Sequence, residues 1–411
     1  MKELEPPITA SPSRYWIDTC SDEYGGQMRT SLNPTGVIYP SDPVFSTKGM
    51  PSVYANLTSL RIPMTQTGTA SDASRLLGLL DALLSSLPVL DTLHMLIGNL
   101  GAIYNADVNF PDTWMRRMLL SRHDRPTYWS NRVRTLVLDQ VEGSPVRTFS
   151  TQLLVVILAR MSSLRVLEVR LPALGALRVL SMSRDVAASY ANVIPDWPLE
   201  RLVMGVMPSG VMCALLRGAR TSSLRTLDLY AAKNDPDVIA SVLQLTQLET
   251  IIFREDLQLE ALKGWLPVII MPTVERLRIC REQFILMAFF LPWAVRCDQS
   301  LFVPSNVVHL ELECKNIMGS VDGETHRAII EEWVDLFASV LDDQSSRRDR
   351  TMRLRSITLF VRYNEHTGRS RAENVDFGPL MNACAARRIR LNCVNFDTGI
   401  AMGIQRCARS V

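Results

Sequence analysis

Two octapeptides decide how this chain is read: SSLRVLEV at Ser162–Val169 and SSLRTLDL at Ser222–Leu229. They lie sixty residues apart and share the order Ser-Ser-Leu-Arg-x-Leu-acid-aliphatic. The core of the phrase is aliphatic-x-x-aliphatic-x-aliphatic, and its last half alternates with the period of a half-buried strand.

Searched along the 411 residues, that core recurs as LTSLRI (Leu57–Ile62), LDTLHM (Leu90–Met95), VRTLVL (Val133–Leu138) and LRVLEV (Leu164–Val169). It continues as LERLVM (Leu199–Met204), LRTLDL (Leu224–Leu229), LETIIF (Leu248–Phe253) and VERLRI (Val274–Ile279). VVHLEL (Val307–Leu312) and LRSITL (Leu354–Leu359) follow, with a weaker strand expected in RIRLNCVNF, Arg388–Phe396. LRVLSM at Leu177–Met182 also fits, but it starts 13 residues after its predecessor, too close for a strand plus a helix, and is set aside. Successive starts are 24 to 47 residues apart, and the gaps read as helices. Ser71–Ser86 carries leucines at helical spacing, and Asp235 followed by Pro236 is a helix cap and first helical residue. Glu324–Leu341 places apolar residues on one stripe and acids on the other.

The recurring unit of strand, loop and helix resembles the leucine-rich repeat of the ribonuclease-inhibitor-like type. Its irregular lengths are most similar to the substrate-receptor portion of fungal F-box proteins. The resemblance covers Leu57 to Phe396. It implies an α/β solenoid curved into a horseshoe, with a parallel sheet on the concave face and helices on the convex face. It also implies an intracellular interaction protein that presents substrates to a ubiquitin ligase. Two departures accompany it: the family's Asn or Cys after each strand is mostly missing, and residues 1–56 hold no recognisable F-box. The expected organisation is a proline-rich, irregular or capping segment at 1–56 and a solenoid of ten or eleven repeats at 57–396. An Arg-rich loop falls near 342–353, and a tail occupies 397–411.

Composition narrows the function classes. A formal net charge of +2 gives no reason for bulk attraction to nucleic acid or to an anionic membrane. The opening MKELEPPITASPSRYW has acids and prolines where a signal peptide needs an apolar core. The run Phe284–Val295 is shorter than the roughly 20 residues of a spanning helix and contains Pro292, so a buried helix is expected. None of the eight cysteines forms a CxxC pair, which suits reduced thiols in the cytoplasm or nucleus. The phosphate-loop, dinucleotide, nucleophile-elbow and HExxH motifs are absent, and the five histidines are scattered. No catalytic residue, metal site or cofactor is expected.

In this register the open strand face is formed by the residues between and beside the paired aliphatics. Candidate partner-binding residues on it are Arg201, Asp228, Tyr230, Arg254, Arg276, Arg278, His309, Glu311 and Glu313. Arg254, Arg276 and Arg278 are expected as a positive patch beside a negative one made by His309, Glu311 and Glu313. Changes on such a solvated face are expected to move stability by only about 0.5 kcal/mol. The remaining charge feature is SSRRDRTMRLR, Ser345–Arg355, where Arg347, Arg348 and Arg350 are candidates for phosphate. The leading expectation is therefore protein binding through the strand face. The alternative is phosphate or nucleic-acid binding through the Arg-rich C-terminal third.

Overall fold

The computed structural model describes residues 58–65, 89–98, 132–140, 151–170, 196–219 (except 206 and 208), 223–230, 233–254, 259–280, 304–314, 353–361 and 378–395. It also describes scattered positions within 73–87, 113–118 and 334–338, and the strands at 14–17, 37–38 and 401–402. The expected helix over Phe284–Val295, the set-aside Leu177–Met182 and the loop carrying Arg347, Arg348 and Arg350 lie outside these residues.

Each of the eleven repeat motifs contributes one strand, and the strands divide between two compact units, Met1–Leu224 and Arg225–Val411. In the first unit, β3 (Ser59–Thr65), β4 (Thr92–Gly98), β5 (Thr135–Gln140), β6 (Val166–Val169) and β7 (Arg201–Met204) pair in chain order, all parallel. The proline-rich segment adds two short strands on the far side of β3, β1 (Arg14–Ile17) and β2 (Val37–Ile38). Helices α1 (Thr151–Ala159) and α2 (Ser209–Gly218) occupy the connections after β5 and β7.

The second unit repeats the plan. β8 (Thr226–Leu229), β9 (Thr250–Phe253), β10 (Arg276–Cys280), β11 (His309–Cys314), β12 (Ser356–Val361) and β13 (Arg390–Asn395) pair in chain order and in parallel. The short β14 (Ala401–Met402) joins β13 antiparallel. Helices α3 (Pro236–Leu243), α4 (Leu259–Ile269) and α5 (Gly378–Ala386) follow β8, β9 and β12. Parallel neighbours cannot be joined by a tight turn, so every connection must cross over, which is why a helix suits each gap. Asp235 caps α3 as its sequence indicates, its Oδ1 accepting from the N–H groups of Asp237 and Val238, with Pro236 at the first helical position. Among the described residues no helix is long and apolar enough to cross a membrane.

Register is held by a backbone device that recurs at the strand starts of both units. The carbonyl of the residue before one strand accepts two consecutive N–H groups of the next chain pass. Asp91 accepts from Arg134 and Thr135, Arg134 from Arg165 and Val166, Arg225 from Glu249 and Thr250, and Glu249 from Glu275 and Arg276. A second device links helix to strand through turns three residues long, Val242–Leu245–Leu248 and Val268–Met271–Val274. Leu90, Leu248, Val274 and Val307, each the first aliphatic of its motif, end such turns and are buried with the strand aliphatics that follow. In the opening pair, Leu164, Leu167 and Val169, and Leu224, Leu227 and Leu229, are all core residues.

Candidate functional site

Because the register is uninterrupted, the outward residues of the second unit form three rows across the strands. The first runs Thr226, Thr250, Arg276, His309, Ser356, Arg390. The second runs Asp228, Ile252, Arg278, Glu311, Thr358, Asn392. In the third, Cys280 lies opposite Glu313, and Glu313 opposite Phe360 and then Val394; Tyr230 and Arg254 stand at the same position in their own repeats.

The charges on these rows close on one another. Arg254 reaches from its strand end to Asp228, with Nε 2.9 Å from Oδ1 and Nη2 2.7 Å from Oδ2, a two-toothed grip on the carboxylate. Its third nitrogen, Nη1, stands 3.5 Å from Glu313 Oε1. Arg278 Nε donates to the same Glu313 oxygen at 2.6 Å, and Arg278 and Arg276 approach Glu311 at 3.9 and 3.6 Å. Two rings accompany the guanidinium groups: Arg278 sits 4.0 Å from the Phe360 ring centre and Arg254 5.8 Å from that of Tyr230. Burial of Arg254 acts against its charge. The hydrogen bond and Coulombic pull of Asp228, followed by Glu313 and Tyr230, outweigh that penalty, so its pKa lies above the ordinary arginine value.

This geometry corrects the expected pattern. Arg254 and Arg278 do not make a positive patch beside a separate acidic one. With Arg276 they interleave with Asp228, Glu311 and Glu313, three arginines against three acids. Asp228 is 0% exposed and Glu313 1%, so neither is a solvated contact residue. The expectation that changes here barely affect stability fails for them, because removing one partner strands a charge in the interior. Arg276 remains open at 49% side-chain exposure, and His309 is half-buried with Nδ1 2.7 Å from Ser356 Oγ.

The first unit carries a smaller cluster of its own. Arg201 Nε lies 3.3 Å from Glu168 Oε1, Arg170 also pairs with Glu168, and Asp139 Oδ2 is 3.8 Å from both Arg170 and His94 Nε2. Among the described residues no group of three or more His, Cys, Asp or Glu is placed to hold a metal ion.

Sequence reasoning passed over three things here. Thr358 and Asn392, hydrogen-bonded at 3.4 Å, extend the second row toward β13. Buried Asn306 donates to the carbonyls of Ile269, Met271 and Val274, and Trp197 and Trp265 donate to those of Met161 and Lys233. These side chains satisfy backbone carbonyls one strand-and-helix unit back. No protein-family model matches the chain, and no curated protein matches it by sequence.

Proposed function

We propose that this chain is a non-enzymatic interaction module, a leucine-rich-repeat solenoid whose outward strand face in the second unit receives a protein partner. The observation that carries the reading is the network Asp228–Arg254–Glu313–Arg278. It fixes long side chains in place before any partner arrives, so the surface beside it binds with little further loss of side-chain freedom. Arg276, half-buried His309 and the hydroxyl residues of the first row are then the contact groups. Presentation of a substrate to a ubiquitin ligase is the finer form of this proposal and rests on the resemblance of the repeats to those of fungal F-box proteins.

Affinity purification of the full chain from its native cell, read by mass spectrometry, tests both levels. A ligase adaptor among the co-purified proteins supports the finer form, and its absence from a preparation that holds another reproducible partner removes it. Arg276→Glu is the discriminating variant, because Arg276 is exposed and outside the buried pairs. It is expected to fold normally and lose the partner. Unchanged capture would move the interface off this face.

A further inference from the structure

Charge is unevenly distributed over the outward face of the second unit. Its acids occupy the second and third rows, where Asp228 and Glu313 are buried and Glu311 is shared by two arginines. The first row, Thr226 to Arg390, holds no acid at all. It holds exposed Arg276 and Arg390, with the His309–Ser356 pair between them. Exposed Arg355 immediately precedes Ser356, and exposed Arg388 stands two residues before Arg390. Nearby Arg353 is matched by Glu275 at 3.3 Å, whereas none of the described ion pairs takes Arg355, Arg388 or Arg390. Arg388, in the turn that ends α5, adopts φ 59°, a conformation that glycine ordinarily supplies after a helix.

We infer that the first row binds an acidic segment of the protein partner, laid in extended form across β10 to β13. This deepens the docking reading above and rests on it. Three strand spacings separate Arg276 from Arg390, about 14 Å, which an extended peptide covers in roughly four residues. Residues four apart in an extended chain face the same way, so Asp or Glu side chains at that spacing meet both arginines. A single phosphate matches this layout less well, because the arginines stand apart along the row. Nucleic acid fits less well again: the rings of Tyr230 and Phe360 lie in the third row against Arg254 and Arg278, and the one ring of the first row, the His309 imidazole, is half-buried and engaged with Ser356.

Fluorescence anisotropy on the full chain tests the assignment with labelled decapeptides carrying Glu at positions four apart. The comparison probes are the Gln version, a peptide with one phosphoserine, and a short oligothymidylate. The Glu peptide is expected to bind in a salt-sensitive way. Affinity should fall by at least about tenfold in the Gln version and in the doubly substituted Arg276→Gln, Arg390→Gln chain. That chain should keep its circular dichroism and melting curve, and Lys263→Gln on α4 should change nothing. Equal binding by the double variant, or tighter binding of the phosphoserine peptide or the oligonucleotide, overturns the assignment. If the Glu peptide fails while Arg276→Glu still abolishes partner capture, the acidic chemistry falls and the docking face stands. If both fail, both readings fall.

Discussion

Arg254 reaches from the end of β9 to hold Asp228 on the neighbouring β8, so a residue expected to face a partner is committed to a buried carboxylate. Arg254→Ala should leave the Asp228 carboxylate buried without its partner and lower stability by about 3–5 kcal/mol in urea titration. Replacing Arg276, which lies at the open end of the same face, should cost no more than about 0.5 kcal/mol. Cys384 on α5 makes a second residue-level case. Burial raises its thiol pKa from 9.0 to about 11, against a smaller lowering by Arg387. Because the thiolate is the reactive form, iodoacetamide should leave Cys384 unmodified at pH 8 in the folded chain and modify it in urea. The folded pKa is the higher one, so this group's contribution is complete below pH 9 and is lost as pH rises through about 11. Urea midpoints measured across that window should therefore fall.

At the scale of elements, α5 ends in a Schellman turn: the Ile389 N–H donates to the Cys384 carbonyl and the Arg388 N–H to that of Ala385. The left-handed position of such a turn is normally glycine, and here it is Arg388. Arg388→Gly should raise stability by about 1 kcal/mol, read as a higher melting midpoint, while the acidic peptide binds no better. Asn306 is the opposite case, a polar residue whose Nδ2, with two hydrogens shared among three carbonyls, ties the end of α4 to the turn before β11. Asn306→Ala should cost about 1–3 kcal/mol by leaving buried carbonyls without a donor. The strands themselves were legible because their signal is local: an aliphatic pair spaced by two needs no knowledge of its neighbours. Asn306, Trp197 and Trp265 were not, because each acts on a carbonyl 32 to 37 residues away, and nothing near them in the chain marks that target.

At the scale of the whole molecule, a net charge of +2 conceals a separation of charge by depth. Among the described residues of the second unit, acids and arginines cancel where they are buried, and arginines outside any ion pair stand at the exposed strand ends near β12 and β13. Salt screens exposed charges far more than buried ones. Raising sodium chloride from about 0.05 to 0.5 M should therefore release the acidic peptide while leaving the urea midpoint nearly unchanged. A parallel loss of both would mean that the network is open to solvent. By itself the sequence determined the strand positions, the buried leucines and the side chains that share each row, since all three follow from a period of two and a repeated spacing. It also placed Asp228 beside the repeat of Arg254, and Arg278 beside that of Glu311 and Glu313. Only the tertiary structure decided which of these charges close on one another and which stay open. That outcome depends on the reach of arginines across two strands and on the rings of Phe360 and Tyr230 beside them, distances that no local spacing encodes.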